Sequence, residues 1–209
     1  MLFLAALVGQ AIAGYHDYNE GQAAHDGEPT SFGRYVVSSR FGVAMLENWQ
    51  SEYLQFSLFI LATIWLYQRG SNESKRAEDL GFESDEKQLV GRHAKADSPR
   101  WAKHKDWRHT LYSHSLLLVM ATIFFASWFG QSVTGWREYN DDQSRHGQAE
   151  VSWATYLVRP DFWERTFQNW QSEFLAVGCL AIFTVYLRQR GSPESKPVGS
   201  AHDETAASG

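Results

Sequence analysis

Residues 9–75 and 130–196 align without a gap at a constant offset of 121, with 26 identities in 67 positions. Gly9-Gln10 returns as Gly130-Gln131, Tyr18-Asn19 as Tyr139-Asn140, and Gln22 and His25 as Gln143 and His146. The block Asn48-Trp49-Gln50-Ser51-Glu52 returns whole as Asn169-Trp170-Gln171-Ser172-Glu173. Gln68-Arg69-Gly70-Ser71 returns as Gln189-Arg190-Gly191-Ser192, each followed after one residue by Glu-Ser-Lys, at 73–75 and 194–196. A chain written twice at a fixed period has to bury its apolar surface with the same unit used twice.

Each unit carries two apolar blocks, 2–13 and 53–67 in the first and 111–130 and 174–187 in the second. A bilayer core of ~30 Å takes about twenty helical residues at ~1.5 Å each. Segment 111–130 meets that length, with His114 near its start as its only ionisable residue. Segment 53–67 reaches it when counted from Trp49 to Arg69, with an aromatic ring at one interface and a cation at the other. Segment 170–190 has the same layout. Residues 57–67 are apolar all round and lack the charged face of a soluble surface helix. Segment 2–13 also has the length of a signal-peptide apolar region, and Ala11-Ile12-Ala13 before Gly14 resembles a cleavage site. Its lack of a basic start and its match to the second unit favour a shortened first transmembrane helix. The expected fold class is all-α, a membrane four-helix bundle built from two parallel transmembrane hairpin repeats. The hairpins are 1–75 and 111–196, joined by a charged linker, 76–110, and followed by a small, polar tail, 197–209, expected to be disordered.

Charge sets the orientation. Thirteen of the 19 Lys and Arg residues fall in 68–110 and after 187, and six in the loops 14–48 and 135–169. The positive-inside rule then puts the linker 68–110 and both termini in the cytoplasm and the two loops outside, with both hairpins oriented alike. The end of the linker, where Trp101 and Trp107 stand among Lys and Arg, reads as an amphipathic helix lying on an anionic leaflet.

A net charge of −5 argues against a nucleic-acid partner. A single cysteine, Cys179, excludes a disulfide framework, a cysteine zinc site and a dithiol relay. Only His114 lies within a span, too few for paired haem ligands, and no nucleophile motif is present. The chain is therefore expected to be no enzyme and to hold no cofactor and no metal. Membrane lipid is its expected partner, together with a second copy of itself or another membrane protein.

Three sets of paired residues are candidates for function. The first is a polar outer-mouth cluster of Gln10, Gln50, Glu52, Gln131, Gln171 and Glu173, at the outer ends of the spans. An ionisable group at membrane depth is costly, so it suggests either an ion or solute site or an interhelical hydrogen-bonded clamp. The second is a loop face, Tyr18, Gln22 and His25 with Tyr139, Gln143 and His146, spaced for one side of a helix. Ser31 and Ser152 then cap short helices with apolar aromatic faces. The third is the pair of cytoplasmic helix ends, Arg69, Gly70 and Lys75 with Arg190, Gly191 and Lys196. There arginine complements the helix dipole and glycine suits a left-handed cap. Helix termination does not explain why Glu-Ser-Lys occurs in both copies.

The blocks Gly-Gln-x-x-x-Gly, Tyr-Asn, Asn-Trp-Gln-Ser-Glu and Gln-Arg-Gly-Ser-x-Glu-Ser-Lys resemble the bacterial membrane proteins of domain of unknown function 6766, over 9–75 and 111–196. The resemblance implies a bacterial multi-pass inner-membrane protein and transfers no activity. The reading that follows is a non-enzymatic structural, sensing or assembly role. The alternatives are a small transporter or channel using Glu52 and Glu173, or an accessory subunit of a larger membrane complex.

Overall fold

Serine and aspartate side chains start the short helices. Ser31 Oγ accepts from Arg34 N (3.4 Å), Ser152 Oγ from Thr155 N (3.2 Å) and Asp106 from Arg108 N (3.0 Å), each supplying an acceptor that a helix N-terminus lacks. In the computed structural model, which describes residues 1–25 and 27–206, the described residues are helical and contain no strand. The helices are α1 (Leu2–Ala24), α2 (Phe32–Val36), α3 (Ser39–Trp65), α4 (Trp107–Ser113), α5 (Ser115–Arg145), α6 (Trp153–Tyr156) and α7 (Pro160–Tyr186). α7 opens on proline, whose missing N–H costs nothing at that position, with Asp161 in the first turn facing the positive helix end.

The chain divides into two units. The first contains Met1–Ser51 and Phe124–Asn169, and the second Glu52–Ile123 and Trp170–Gly209. In the first unit, Ala11, Tyr35 and Phe41 form a buried cluster covered by Leu7, Tyr15, Tyr18, Val36 and Met45. Trp128 stacks on Phe124 and Phe162 at 5.7 and 6.2 Å. Gly135 and Gly14 are seats for tyrosines: a Cβ on Gly135 would stand 2.6 Å from Tyr156 Oη, and one on Gly14 would strike Tyr35 Oη.

Positions 121 apart make the same bonds. Asn19 bonds both the N–H and the C=O of Thr30, at 2.8 and 3.1 Å, and Asn140 bonds both those of Val151, at 2.9 Å each. In the second unit, Gln68 N donates to Ser74 Oγ (3.0 Å) and Gln189 N to Ser195 Oγ (2.9 Å).

Those last two bonds correct the expected helix ends. α3 stops at Trp65 and α7 at Tyr186, short of Arg69 and Arg190. The Gln68 N–H that would extend α3 is taken by Ser74, and the Ile64 carbonyl that would receive it accepts from Gly81 N instead (2.7 Å). Gly70 and Gly191 are left-handed, at φ +86° and +81°, but sit in the turns beyond the helices and do not cap them. The linker 76–110 contains 3₁₀ turns at Ala77–Asp79, Gly91–His93 and Arg100–Lys103 as well as α4. It is pinned by Phe82 against Trp65 and His114, at 5.1 and 5.9 Å.

Among the described residues one helix, Ser115–Arg145, is both long and apolar enough to cross a membrane. The long helices nonetheless bury polar side chains alongside apolar ones such as Phe41, Val43, Phe124 and Phe162, and leave many large apolar side chains outside. Gln50, Gln131, Ser51, Ser57, Ser127, Ser132 and Thr166 are buried, while Phe56, Phe59, Leu61, Phe125, Phe129, Leu175, Ile182 and Phe183 are exposed. Many of the hydroxyls turn back onto their own helix, as Ser57 does to Tyr53 O (2.7 Å), Thr122 to Leu118 O (2.7 Å) and Thr166 to Phe162 O (2.8 Å).

Candidate functional site

The six residues of the expected outer-mouth cluster divide between the units. Gln10, Gln50 and Gln131 belong to the first, and Glu52, Gln171 and Glu173 to the second. Gln10, Glu52 and Gln171 are exposed and Glu173 is half-buried. Gln50 is fully buried and donates to Glu47 O at 3.0 Å. Gln131 is equally buried, and neither atom of its amide finds a hydrogen-bond partner among the described residues. The flanking polar side chains turn onto their own helix: Asn48 donates to Ala44 O, Ser51 to Asn48 O and Asn169 to Arg165 O, at 2.8 to 2.9 Å.

The loop face is a pair of helix ends. His25 Nδ1 lies 2.9 Å from Gly21 O and His146 Nδ1 2.9 Å from Asp142 O, each on a carbonyl one turn back. Gln22 donates to Tyr18 Oη (2.9 Å), and the carbonyls of Gln22 and Gln143 accept from Gly27 N and Gln148 N, both at 2.8 Å. Tyr139 packs its ring 5.6 Å from Tyr156. The histidines therefore finish helices, and among the described residues no group of three His, Cys, Asp or Glu is arranged to hold a metal ion.

The chemistry of the first unit lies beside these residues, on side chains that differ between the copies. Arg165 is surrounded by three carboxylates: Asp161 at 3.3 Å, Glu138 at 3.5 Å and Glu47 at 3.8 Å. Arg40 bridges Glu138 (3.3 Å) and Asp17 (3.5 Å). Tyr156 is buried on its glycine seat and donates its hydroxyl to Asp161 at 3.0 Å. Spacing along α7 produces part of this, since Asp161 and Arg165 are one turn apart on one face. The clasp of Asn140 on Val151 and the cap at Ser152 bring Tyr156 back over α5 to complete it.

Burial pushes the carboxyls of Glu47 and Glu138 up from the ordinary range, against the pull of Arg165 on both and of Arg40 on Glu138. Burial also raises the Tyr156 hydroxyl, and the Asp161 charge adds to it. For Arg165 burial alone would favour losing the proton, but the surrounding carboxylates outweigh it and the guanidinium is held more firmly charged. A cleft of about 500 Å³ opens onto the group. It is lined by Arg40, Arg145 and Arg165 and by Glu138, Asp141, Asp142 and Asp161, so both signs of charge face one volume. Such a space suits water, a proton or a small polar ion.

The expected cytoplasmic set lies in the second unit. Arg69 pairs with Asp203 (2.8 Å), and Gly70 N donates to Thr205 Oγ1 (2.9 Å). Lys75 bonds Gly81 O (3.0 Å) and Glu83 (2.8 Å). Lys196 is buried, and its ammonium donates to the carbonyls of Ala201, His202 and Glu204 at 2.7 to 3.2 Å. A buried ammonium needs acceptors, and residues read from composition as a free tail supply them. Arg190 is exposed, and Gly191 occupies the turn beside it.

A family model described as a domain of unknown function (DUF6766) matches residues 1–207. No curated protein and no solved structure matches the chain.

Proposed function

The chain belongs to the domain of unknown function 6766 family, and on that premise we propose that it is a four-span integral membrane protein with a non-enzymatic role in structure or assembly. The observation that carries the reading is that the long helices enclose glutamine, serine and threonine while many of their phenylalanine, leucine and isoleucine side chains face outward. In water that arrangement would leave many large apolar side chains exposed. In lipid it costs little, because hydroxyls and amides are expensive there unless enclosed. The lengths of α1, α3, α5 and α7, 23, 27, 31 and 27 residues, are each sufficient for a crossing at ~1.5 Å per residue. The cation excess in the linker and the end of the chain supports a cytoplasmic side for both termini and the linker. The test is sodium carbonate extraction of membranes from cells expressing the full chain. The protein is expected to stay in the pellet and to need detergent for release. Recovery as a monodisperse, detergent-free species in the supernatant would refute the proposal.

A second reading has its own observation, the gathering of three carboxylates around Arg165 beneath a polar cleft. It makes the chain a small conductor of protons or cations, working through Glu47 and Glu138 and not through Glu52 and Glu173. Proteoliposomes carrying a pH-sensitive dye test it: Glu138→Gln abolishes any protein-dependent flux if this reading holds, and Glu52→Gln does so if the outer-mouth cluster conducts.

A further inference from the structure

The serines of the two Gln-Arg-Gly-Ser-x-Glu-Ser-Lys turns are occupied with holding the turns together. Ser71 Oγ accepts from Glu73 N and Ser192 Oγ from Glu194 N, both at 3.2 Å. Ser74 and Ser195 receive the backbone N–H groups of Gln68 and Gln189 and donate onward to Lys75 O (3.3 Å) and Lys196 O (3.1 Å). The two turns then meet. Asn72 Nδ2 donates to Pro193 O at 3.3 Å, a contact between positions 121 apart, and this brings the half-buried Glu73 carboxyl within hydrogen-bond reach of the exposed Glu194, again 121 apart. A contact between equivalent positions brings a residue against its own twin, so a charged residue there meets its own sign.

We propose that Glu73 and Glu194 form a proton-dependent clasp: while Glu73 carries a proton it bonds the Glu194 carboxyl and the two turns are held together, and release of that proton to solvent parts them. Two carboxyls in contact bond only when one of them is protonated, and two carboxylates repel. Glu73 is half-buried and Glu194 is open to solvent, and the charged side chains of the adjoining segments are engaged elsewhere. Among the neighbouring cations, Arg69 is engaged by Asp203, Lys75 by Glu83, Lys87 by Asp79, Lys196 by the tail carbonyls and Arg188 by the carbonyls of Val185 and Ser200. Arg190 is exposed. Burial first, then the bond to Glu194 and its charge, push the Glu73 carboxyl up to about 7. Release therefore falls at neutral pH. A raised carboxyl favours the closed form at low pH, and that contribution is lost as pH rises through about 7. The clasp also gives the paired Glu-Ser-Lys a reason to exist beyond ending a helix. The inference does not depend on the membrane reading.

The test uses the full chain in mild detergent, as wild type, Glu73→Gln and Glu194→Gln. Hydrogen exchange at residues 68–75 and 189–196, corrected for the chemical exchange rate, reports opening of the turns. In the wild type the opening constant is expected to rise by up to about tenfold per pH unit above neutrality, the limit for one proton. In both variants an amide bonds the remaining carboxylate without a proton, so that slope is lost. Difference infrared spectra should contain a protonated-carboxyl C=O band at about pH 6 that is gone by about pH 8 and is missing from both variants. A wild-type slope retained by folded Glu73→Gln and Glu194→Gln, or no such band in the wild type at about pH 6, overturns the proposal.

Discussion

The two units solve the same problem in opposite ways. In the first, aligned positions have diverged in charge: Arg40 stands opposite Asp161 in the alignment, Ala44 opposite Arg165 and Glu47 opposite Gln168, while Asp17 and Glu138 are both acidic. The divergence lets Arg40 take Glu138 and Arg165 take Glu47, so that charges from the two copies complement one another. In the second unit the copies are unchanged at 73 and 194, and the twin carboxyls touch. A duplicated chain can bring charge to a contact between its copies by changing one sign or by sharing a proton. The first route sets opposite charges against each other around Arg40 and Arg165, and the second depends on a proton on Glu73.

The largest effect should come from breaking the complementary network. Arg165→Met leaves three crowded carboxylates without their shared guanidinium and should cost about 2–4 kcal/mol, the range for stripping one partner from a partly buried charge group. Thermal unfolding in detergent, followed by tryptophan fluorescence, measures it. Adding Glu138→Gln should restore part of the loss, because one repelling charge goes with the cation. Equal and additive losses from the two changes would mean that the network contributes no coupling.

Next in size is the tyrosine seat. Gly135→Val forces Tyr156 off α5 and with it the bond to Asp161, for about 1–3 kcal/mol of overpacking. Gly9→Val, at a repeated glycine with nothing within 4 Å of its added Cβ, is the control and should be near neutral. If both cost the same, the glycines act through the backbone and not as seats. A smaller effect is expected at the asparagine clasps. Asn140→Ala orphans Val151 N, while Val151 O keeps its bond from Trp136 Nε1 at 2.7 Å. It should cost about 1 kcal/mol, and Asn19→Ala about the same, since Thr30 loses both bonds at a less buried site.

How these features were visible beforehand follows from the same contrast. The helices were legible because an apolar run twenty residues long has few other fates, and the capping serines because Ser31 and Ser152 precede aromatic helical faces. The helix ends were misplaced because residues 66–69 look helical until Ser74 takes the Gln68 N–H, an interaction across a turn that periodicity does not register. The charge network was missed because identities between the copies were the guide, and Arg40, Glu47, Asp161 and Arg165 lie where the copies differ. A search for aligned positions of opposite sign, such as Arg40 and Asp161, would have found it. The Glu73–Glu194 contact was half legible: the repetition was plain, but that the repeated residues touch is a fact of the fold alone.

The smallest and most diagnostic effect is on pH dependence. Burial raises the carboxyls of Glu47 and Glu138 in the folded chain above their unfolded value near 4.5. In the interval above that value the folded state binds more protons than the unfolded one, so stability declines as pH rises. Glu73 contributes with the same sign, in a window that closes near 7. Asp79, Glu83 and Asp203, held below the ordinary range by bonds to Lys87, Lys75 and Arg69, act in the opposite sense, losing their contribution as pH falls through their lowered values. They are exposed to solvent screening and should matter only at the acidic extreme. The melting temperature should therefore rise as pH is lowered from about 8 to about 5. Glu138→Gln should flatten that rise in the first unit's network without touching the exchange of residues 68–75, and Glu73→Gln should abolish the pH dependence of that exchange while leaving most of the rise in melting temperature. If either substitution removed both responses, the network and the clasp would be one titrating system, and the contrast between complementary charges and a proton-dependent contact would not hold.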